Sequence, residues 1–230
     1  MYVVKTTKIK FFSENIKMNG FITEICNSAL FRGVERKQTE RLIKQFGISA
    51  RNFKCGETIF SAGDVTERFG IMLGGSAYVY QDDFWGNRNF ISVISGGQLF
   101  AESFSVLDNI PLNVTVTAAE DSSVCFVSAA AVLQSGNAVI VKNLLNDIAR
   151  KNLRLNEKLT HMSRRTTRQK LLSFLSTQAA KHGGNEFEIS FNRQQLADYL
   201  GVDRSAMSAE LSALKKEGCI SYSRSKFKLY

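Results

Sequence analysis

Apolar and polar positions change their spacing several times along the chain, and each change marks a new kind of element. Residues 27–47 (NSALFRGVERKQTERLIKQFG) read as a short helical lead-in that ends at Gly47. From about residue 49 to 127 the helical spacing disappears. Short β-branched or aromatic runs (ETIF, FGIML, AYVY, NFISVI, NVTVTA, SVCFV) alternate with turn residues at Gly56, Gly63 and Asp64, Gly74 and Gly75, Gly86, and Gly96 and Gly97. Strands recurring this closely, with no long helix between them, predict an antiparallel sandwich or roll.

Helical spacing then returns. Asn137 can cap a helix of roughly 26 residues over 137–163. Its apolar positions Val141, Leu145, Ile148, Asn152, Leu155, Leu159 and Met162 follow the spacing 4,3,4,3,4,3, a heptad seam held for three repeats. So narrow a seam on so long a helix wants a partner helix, which the same helix of a second chain can supply. Asn152 occupies a seam position, where a polar side chain costs stability but favours one register and two strands. The alternative is that the seam packs on the β domain of its own chain. Residues 167–181 form another amphipathic helix, closed by the turn His182, Gly183, Gly184 and followed by a strand, EFEIS.

The last third carries the densest pattern, NRQQLADYLGVDRSAMSAELSALKKEG over 192–218. Asn192 and Gln195 have capping-box spacing, Gly201 permits a sharp turn, Asp203 can cap a second helix, and Gly218 stops it. Leu196, Ala197, Val202, Met207, Leu211 and Leu214 are spaced to pack the two helices together. The outer face of the second helix offers Arg204, Ser205, Ser208 and Lys215. Small polar side chains led by an arginine suit a helix that enters a major groove. The ending CISYSRSKFKLY reads as two short strands around a basic turn, with Arg224, Lys226 and Lys228 suited to phosphate contact. Two helices joined by a Gly turn are a common packing unit by themselves; here the caps, the basic hairpin and the local charge support a winged helix-turn-helix.

Charge sharpens this picture. The chain of 230 residues, long enough for one large domain or two small ones, carries a net +9. Residues 142–230 hold 17 basic and 8 acidic side chains, whereas residues 89–141 hold no basic and four acidic ones. A basic C-terminal module points to a polyanion partner, most often nucleic acid; a well-solvated surface is the bland alternative. The cysteines Cys26, Cys55, Cys125 and Cys219 are scattered, with no C-x-x-C and no Cys–His clustering, so no metal or cofactor is expected and reduced, buried thiols are. The N-terminal MYVVKTTKIKFF lacks the pattern of a signal peptide. Residues 122–141 have no charge, but Ser128, Gln134, Ser135, Gly136 and Asn137 interrupt them as caps and a break, so no membrane span is expected.

A β-roll, a long pairing helix and a winged helix-turn-helix, in that order, resemble the Crp/Fnr family of bacterial transcription regulators, from about Leu30 to Tyr230. QQLADYLGVDRSAMSAELSALKKEG is the most specific part. The resemblance implies an α+β chain: an N-terminal antiparallel β-roll (jelly-roll, cyclic-nucleotide-binding-like) over 1–136, a dimerisation helix over 137–163 and a winged helix-turn-helix over 164–230. It also implies a cytoplasmic homodimer on a two-fold symmetric double-stranded DNA site, engaging RNA polymerase. In such proteins the effector domain changes the geometry of the paired helices. Asn192 and Gln194 match positions that touch DNA phosphates in the family. Arg204, Ser205, Ser208 and Ala209 fall on the reading face. The best-known members have Glu and Arg where this chain has Ser205 and Ala209, so the operator is expected to differ from theirs. Arg204 is the expected base contact.

The sensor is less complete. Cyclic-AMP-binding members carry a Gly-Glu pair and, about ten residues on, an Arg before Ser or Thr; the Glu takes the ribose hydroxyl and the Arg the cyclic phosphate. Here Ala101 and Glu102 stand at the first site, and Leu112 and Asn113 at the second. Leu155 and Asn156 fall near the family's Thr-Ser pair. The candidate effector pocket is therefore Glu102, Leu112, Asn113 and Asn156. No Lys or Arg lies within 99–118, a stretch that also holds Asp108 and the single proline, Pro111. A buried phosphate without a cation loses its charge-assisted hydrogen bonds, at a cost of roughly several kcal/mol. Only backbone N–H groups, Arg88, Arg150 or Arg154 could compensate, so cyclic AMP is not expected to bind. Glu102 can equally serve as an acceptor for backbone N–H groups.

Other readings stay open at this point. Iron–sulfur sensing would need a cysteine cluster near the N-terminus, and haem sensing a His in the roll; His161 and His182 lie outside it and read as surface side chains. A thiol switch at Cys55 or Cys125, both in strand-like runs, is less favoured than inert buried thiols. A jelly-roll enzyme would need strand histidines, and no activated nucleophile or phosphate loop is visible. A regulatory subunit acting on another protein, a regulator of this fold without an effector, and a cyclic-nucleotide-responsive regulator with an atypical pocket are the remaining alternatives. The small-molecule effector itself is unknown from sequence.

Overall fold

The computed structural model describes residues 15–82, 88–107 and 109–230. The N-terminal stretch read for targeting, the turn residue Gly86, and Asp108 lie outside them. Of the lead-in expected over 27–47, only α2 (Arg36–Gln45) is helical, and a separate helix, α1 (Asn15–Asn27), precedes it. Residues 28–35 are not helical. The Ser28 hydroxyl turns back to the Ile25 carbonyl at 2.6 Å and Gly33 takes φ 77°, which breaks the helical path. The intervening Leu30 and Phe31 are fully buried in the core. As expected, Gly47 stops the second helix at positive φ.

The alternating runs form an antiparallel roll of two four-stranded sheets. Its strands are β1 (Ser49–Phe53), β2 (Thr58–Phe60), β3 (Arg68–Gly74), β4 (Ser76–Asp82), β5 (Arg88–Ser95), β6 (Leu99–Phe100), β7 (Thr115–Ala118) and β8 (Ser122–Ser128). One sheet has the order β1-β8-β3-β6 and the other β2-β7-β4-β5. All six apolar runs are strands; β1 and β6 were not legible as such, one being polar (SARNF) and the other only two residues long. Phe53, Met72, Ala77, Ile94, Phe100, Val116, Ala118 and Val124 pack in one core cluster. Gly70 interrupts the apolar run of β3 because the Phe100 ring lies over it. A Cβ there would come within 2.2 Å of the ring, so only glycine lets the ring close the core.

The uncharged stretch 122–141 resolves into β8, helix α4 (Ala129–Leu133) and the start of helix α5 (Ala138–Met162). Ser128 and Asn137 cap these helices as expected: the Ala131 N–H donates to the Ser128 hydroxyl, and the Val139 and Ile140 N–H groups donate to Asn137 Oδ1 at 3.1 and 3.2 Å. Among the described residues no helix is long and apolar enough to cross a membrane.

Helix α5 divides its apolar positions by depth. Ile140 and Leu144 are buried with the roll cluster around Phe69, Ile71 and Leu99, and Ile148 packs against it. The Asn143 amide donates to the Leu30 and Arg32 carbonyls, both at 2.8 Å, and fixes this half of the helix to the roll. Of the heptad seam, Val141 is half-buried and Ile148 belongs partly to the roll. Leu145, Leu155 and Leu159 are 58%, 56% and 54% exposed, and Asn152 and Met162 also face solvent in the single chain.

By internal contacts the chain divides after Ala149 into two compact units, with α5 contributing to both. The second unit holds helix α6 (Thr167–His182), strand β9 (Glu186–Glu188), helices α7 (Arg193–Leu200) and α8 (Arg204–Lys216), and strands β10 (Ile220–Ser223) and β11 (Lys226–Leu229). Its sheet has the order β10-β11-β9. Leu171, Phe174, Leu175, Leu196, Ala197, Met207, Leu211 and Leu214 form its core, with Val202 half-buried against them.

Several side chains stand elsewhere than expected; Cys219, expected as a buried thiol, is exposed, and Cys26 is only half-buried. His161 is a buried residue, only 1% exposed, not a surface one. Its Nδ1 lies 2.8 Å from the Ser173 hydroxyl, and its ring meets Phe174 and Tyr199. Cys55 is not in a strand: it sits exposed in the turn between β1 and β2. There the Asp121 carboxylate accepts its N–H at 3.1 Å and also grips Lys54. Cys125 is buried in β8, and burial pushes its thiol far above the ordinary range, so it is inert as a thiolate.

Candidate nucleic-acid interface

The reading head is assembled from short-range bonds. Asn192 Oδ1 accepts the Gln195 N–H and Gln195 Oε1 accepts the Asn192 N–H, both at 2.9 Å, so the reciprocal capping box of α7 is complete. Gly201 then adopts φ 59° and turns the chain. A Cβ at this position would lie 3.0 Å from Met162 Cε, the movable end of an exposed side chain, so the positive φ rather than crowding favours glycine. Lys170 of α6 donates to the Leu200 and Gly201 carbonyls, each at 3.3 Å, and so satisfies the C-terminal end of α7. No local sequence pattern signals this role.

Asp203 caps α8, accepting the Ala206 N–H at 2.9 Å. The Ser205 hydroxyl and this N–H hold the Asp203 carboxyl below its ordinary range. Ser205 is thus tied to the cap, and the Ser208 hydroxyl donates to the Arg204 carbonyl at 2.9 Å. Arg204 is exposed at the first helical position. A cation there opposes the helix dipole, so Arg204 is not placed for the stability of α8. Ala209 is exposed on the same helix.

The hairpin of β10 and β11 packs beside these helices through Tyr222. The Arg193 guanidinium lies 4.9 Å from the Tyr222 ring centre and the Lys215 ammonium 5.2 Å from it. Arg193 also donates to the Arg224 carbonyl at 3.1 Å. Arg193 therefore joins α7 to the hairpin, a role that sequence reading missed; a basic residue between Asn192 and Gln194 was the only available signal. Arg224 is exposed at the hairpin turn in the left-handed region, φ 51°. Lys226 is exposed beside it. Lys228, by contrast, is engaged by Glu186, which raises its ammonium above the ordinary value. The Gln194 amide donates to Asp198 at 2.8 Å on the exposed side of α7.

The candidate effector residues are not brought together in the same way. Glu102 opens a short helix, α3 (Glu102–Val106), after Ala101 at φ 61°, and is 4% exposed. The Ser103 hydroxyl donates to its carboxylate at 3.4 Å. Leu112 is 2% exposed; its carbonyl accepts the Gly63 N–H and its N–H donates to Asp64, both at 2.8 Å. Asn113 faces solvent. The Asn156 amide donates to Asn152 at 2.8 Å. Arg88 is engaged too, ion-paired with Asp82 at 3.2 Å and lying over the Tyr80 ring at 5.0 Å.

An antiparallel roll, a long helix and a winged helix-turn-helix define a class of DNA-binding regulator. Two family models match, in order: the cyclic nucleotide-binding domain over residues 50–136 and the Crp-like helix-turn-helix domain over residues 169–229. The chain belongs to the Crp/Fnr family of DNA-binding transcription regulators, a family of regulators and not of enzymes. Its fold is shared by CprK in complex with OCPA (TM-score 0.62, 15% identity, 84% of this chain and 91% of that chain covered). It is also shared by the sensor domain of the transcriptional regulator DNR from Pseudomonas aeruginosa (TM-score 0.52, 20% identity, 61% and 95% covered). The Thermus thermophilus catabolite activator protein aligns with 20% identity over 88% of this chain and 94% of its own, at a TM-score of 0.49. No curated protein matches the sequence.

Proposed function

We propose that the chain acts as a cytoplasmic homodimer that reads a two-fold symmetric DNA site and acts on RNA polymerase there. The observation that carries this is Arg204: an exposed cation set against the helix dipole at the start of a capped helix, where only an external anion or base edge rewards it. Ser208 and Ala209 share its exposed side, and Arg204 is the residue assigned to base readout. Ser205 first has to leave Asp203 to reach a base. Asn192 and Gln194, and Arg224 and Lys226 of the wing, are assigned to phosphates; Lys215 supports the wing through Tyr222. The exposed part of the seam, Leu145, Asn152, Leu155, Leu159 and Met162, supports pairing with a second copy, while Val141 and Ile148 share their burial with the roll.

The roll is proposed not to take cyclic AMP. Leu112 stands buried where a phosphate would need a cation, and Arg88 is already paired. The buried carboxylate of Glu102 leaves room in this account for a neutral or cationic effector, or for none. Selection from a random duplex pool tests the reading: enriched sequences should be two-fold symmetric, with half-sites about one helical turn apart. Enrichment of asymmetric sequences, or none, would refute it. Cyclic AMP added to the same binding assay should leave DNA affinity and Tm unchanged, and a clear shift at micromolar ligand would sink the sensor assignment.

A further inference from the structure

The second unit contains a cavity that neither the reading face nor the roll uses. Its volume is about 240 Å³, smaller than a drug-sized site and suited to a ligand of a single ring. Phe174, Phe191 and Tyr199 form one wall, with the Phe191 and Tyr199 ring centres 5.1 Å apart. Arg154, Lys181 and Glu157 line it as well.

The charges in this lining are unequal. Lys181 holds both oxygens of Glu157, at 2.7 and 2.6 Å, so these two cancel. Arg154 has no ion pair among the described residues and leaves the cavity one positive charge in excess. Next to this cavity, His161 is packed against Phe174 and Tyr199 with its Nε2 lacking a hydrogen bond, 3.8 Å from Glu157. A site lined by clustered rings and by one guanidinium without an ion pair is complementary to a small apolar monoanion.

We infer that this cavity binds a small aromatic or similarly apolar monocarboxylate, its ring against Phe191 and Tyr199 and its carboxylate on the Arg154 guanidinium. Ser190 and Phe191, which line the cavity, directly precede the Asn192 cap of α7, so occupancy is felt at the start of the reading head. The inference goes beyond the proposed function and does not depend on the DNA site.

Benzoate is the probe, titrated into the full chain with amide shifts followed by NMR. The expected result is saturable movement of the amides of residues 189–191 and Tyr199 at millimolar benzoate. Arg154→Ala should weaken binding at least about tenfold and Arg154→Lys less, because the lost interaction is a charge-assisted hydrogen bond to the guanidinium. Benzylamine, the same ring with the opposite charge, should not saturate. Arg154 is exposed, so these variants keep their fold. No saturable shift with benzoate, equal affinity in Arg154→Ala, or equal binding of benzylamine would each overturn the inference.

Discussion

The segment around 99–118 and the reading head at 192–228 make opposite use of charge. The roll segment holds no Lys or Arg, and it buries Leu112 and Glu102. The reading head keeps its cations and sorts them. Lys228 is spent on Glu186, Arg193 and Lys215 brace Tyr222, and Arg204, Arg224 and Lys226 remain exposed. A cation count alone would treat these residues as equals. The geometry separates those that build the fold from those left exposed to solvent.

The contrast between the two regions depends most on Leu112. Leu112→Ala removes a buried side chain from the roll and should lower its stability by about 2–5 kcal/mol, read by thermal melting. A near-neutral result would mean that the segment is loosely packed and open to a ligand. In the reading head, Asn192→Ala removes half of the capping box and should cost about 1 kcal/mol of stability, measured by denaturant unfolding. The same substitution should weaken DNA binding by more than its stability loss if Asn192 also meets a phosphate.

Acid should act on the second unit through His161. Burial pushes its imidazole below the ordinary 6.5, while Glu157 pulls it up and Lys181 and Arg164 oppose protonation further. Ser173, Phe174 and Tyr199 are its uncharged neighbours. The unfolded chain then binds the proton more readily than the folded one. Stability is therefore fully present above pH 6.5, and falls as pH drops from 6.5 towards the lower folded value. Tm measured between pH 7.5 and 5.5 should decline, by a margin that His161→Gln reduces; equal slopes in both proteins would remove His161 from the account. The smallest effect is expected at the seam. Asn152→Leu should raise dimer stability or loosen its register, seen by light scattering during denaturation, and no change would argue that the seam is not paired.

The two regions also differ in how far the sequence revealed them. Asn192 with Gln195, Asp203 with Ala206, and Gly201 act over three residues or fewer, so their roles were readable directly. So were the six apolar strand runs and the Asn137 cap. The burial of His161 depends on Ser173 and Tyr199, the exposure of Cys55 on a turn held by Asp121, and the role of Lys170 on carbonyls thirty residues away. No local pattern encodes such contacts. The lead-in was misread for the same reason: Leu30 and Phe31 fit a helical spacing, but the core of the roll takes them as a non-helical link.

DNA reading is assigned above all to Arg204, and its substitution is the decisive experiment. Wild type and Arg204→Ala should be titrated with the selected two-fold duplex at two salt concentrations. Both proteins should show strong salt dependence, and Arg204→Ala should lose about 1–3 kcal/mol for this duplex with little change for random DNA. Equal affinity of the two proteins for the selected duplex would contradict the assignment.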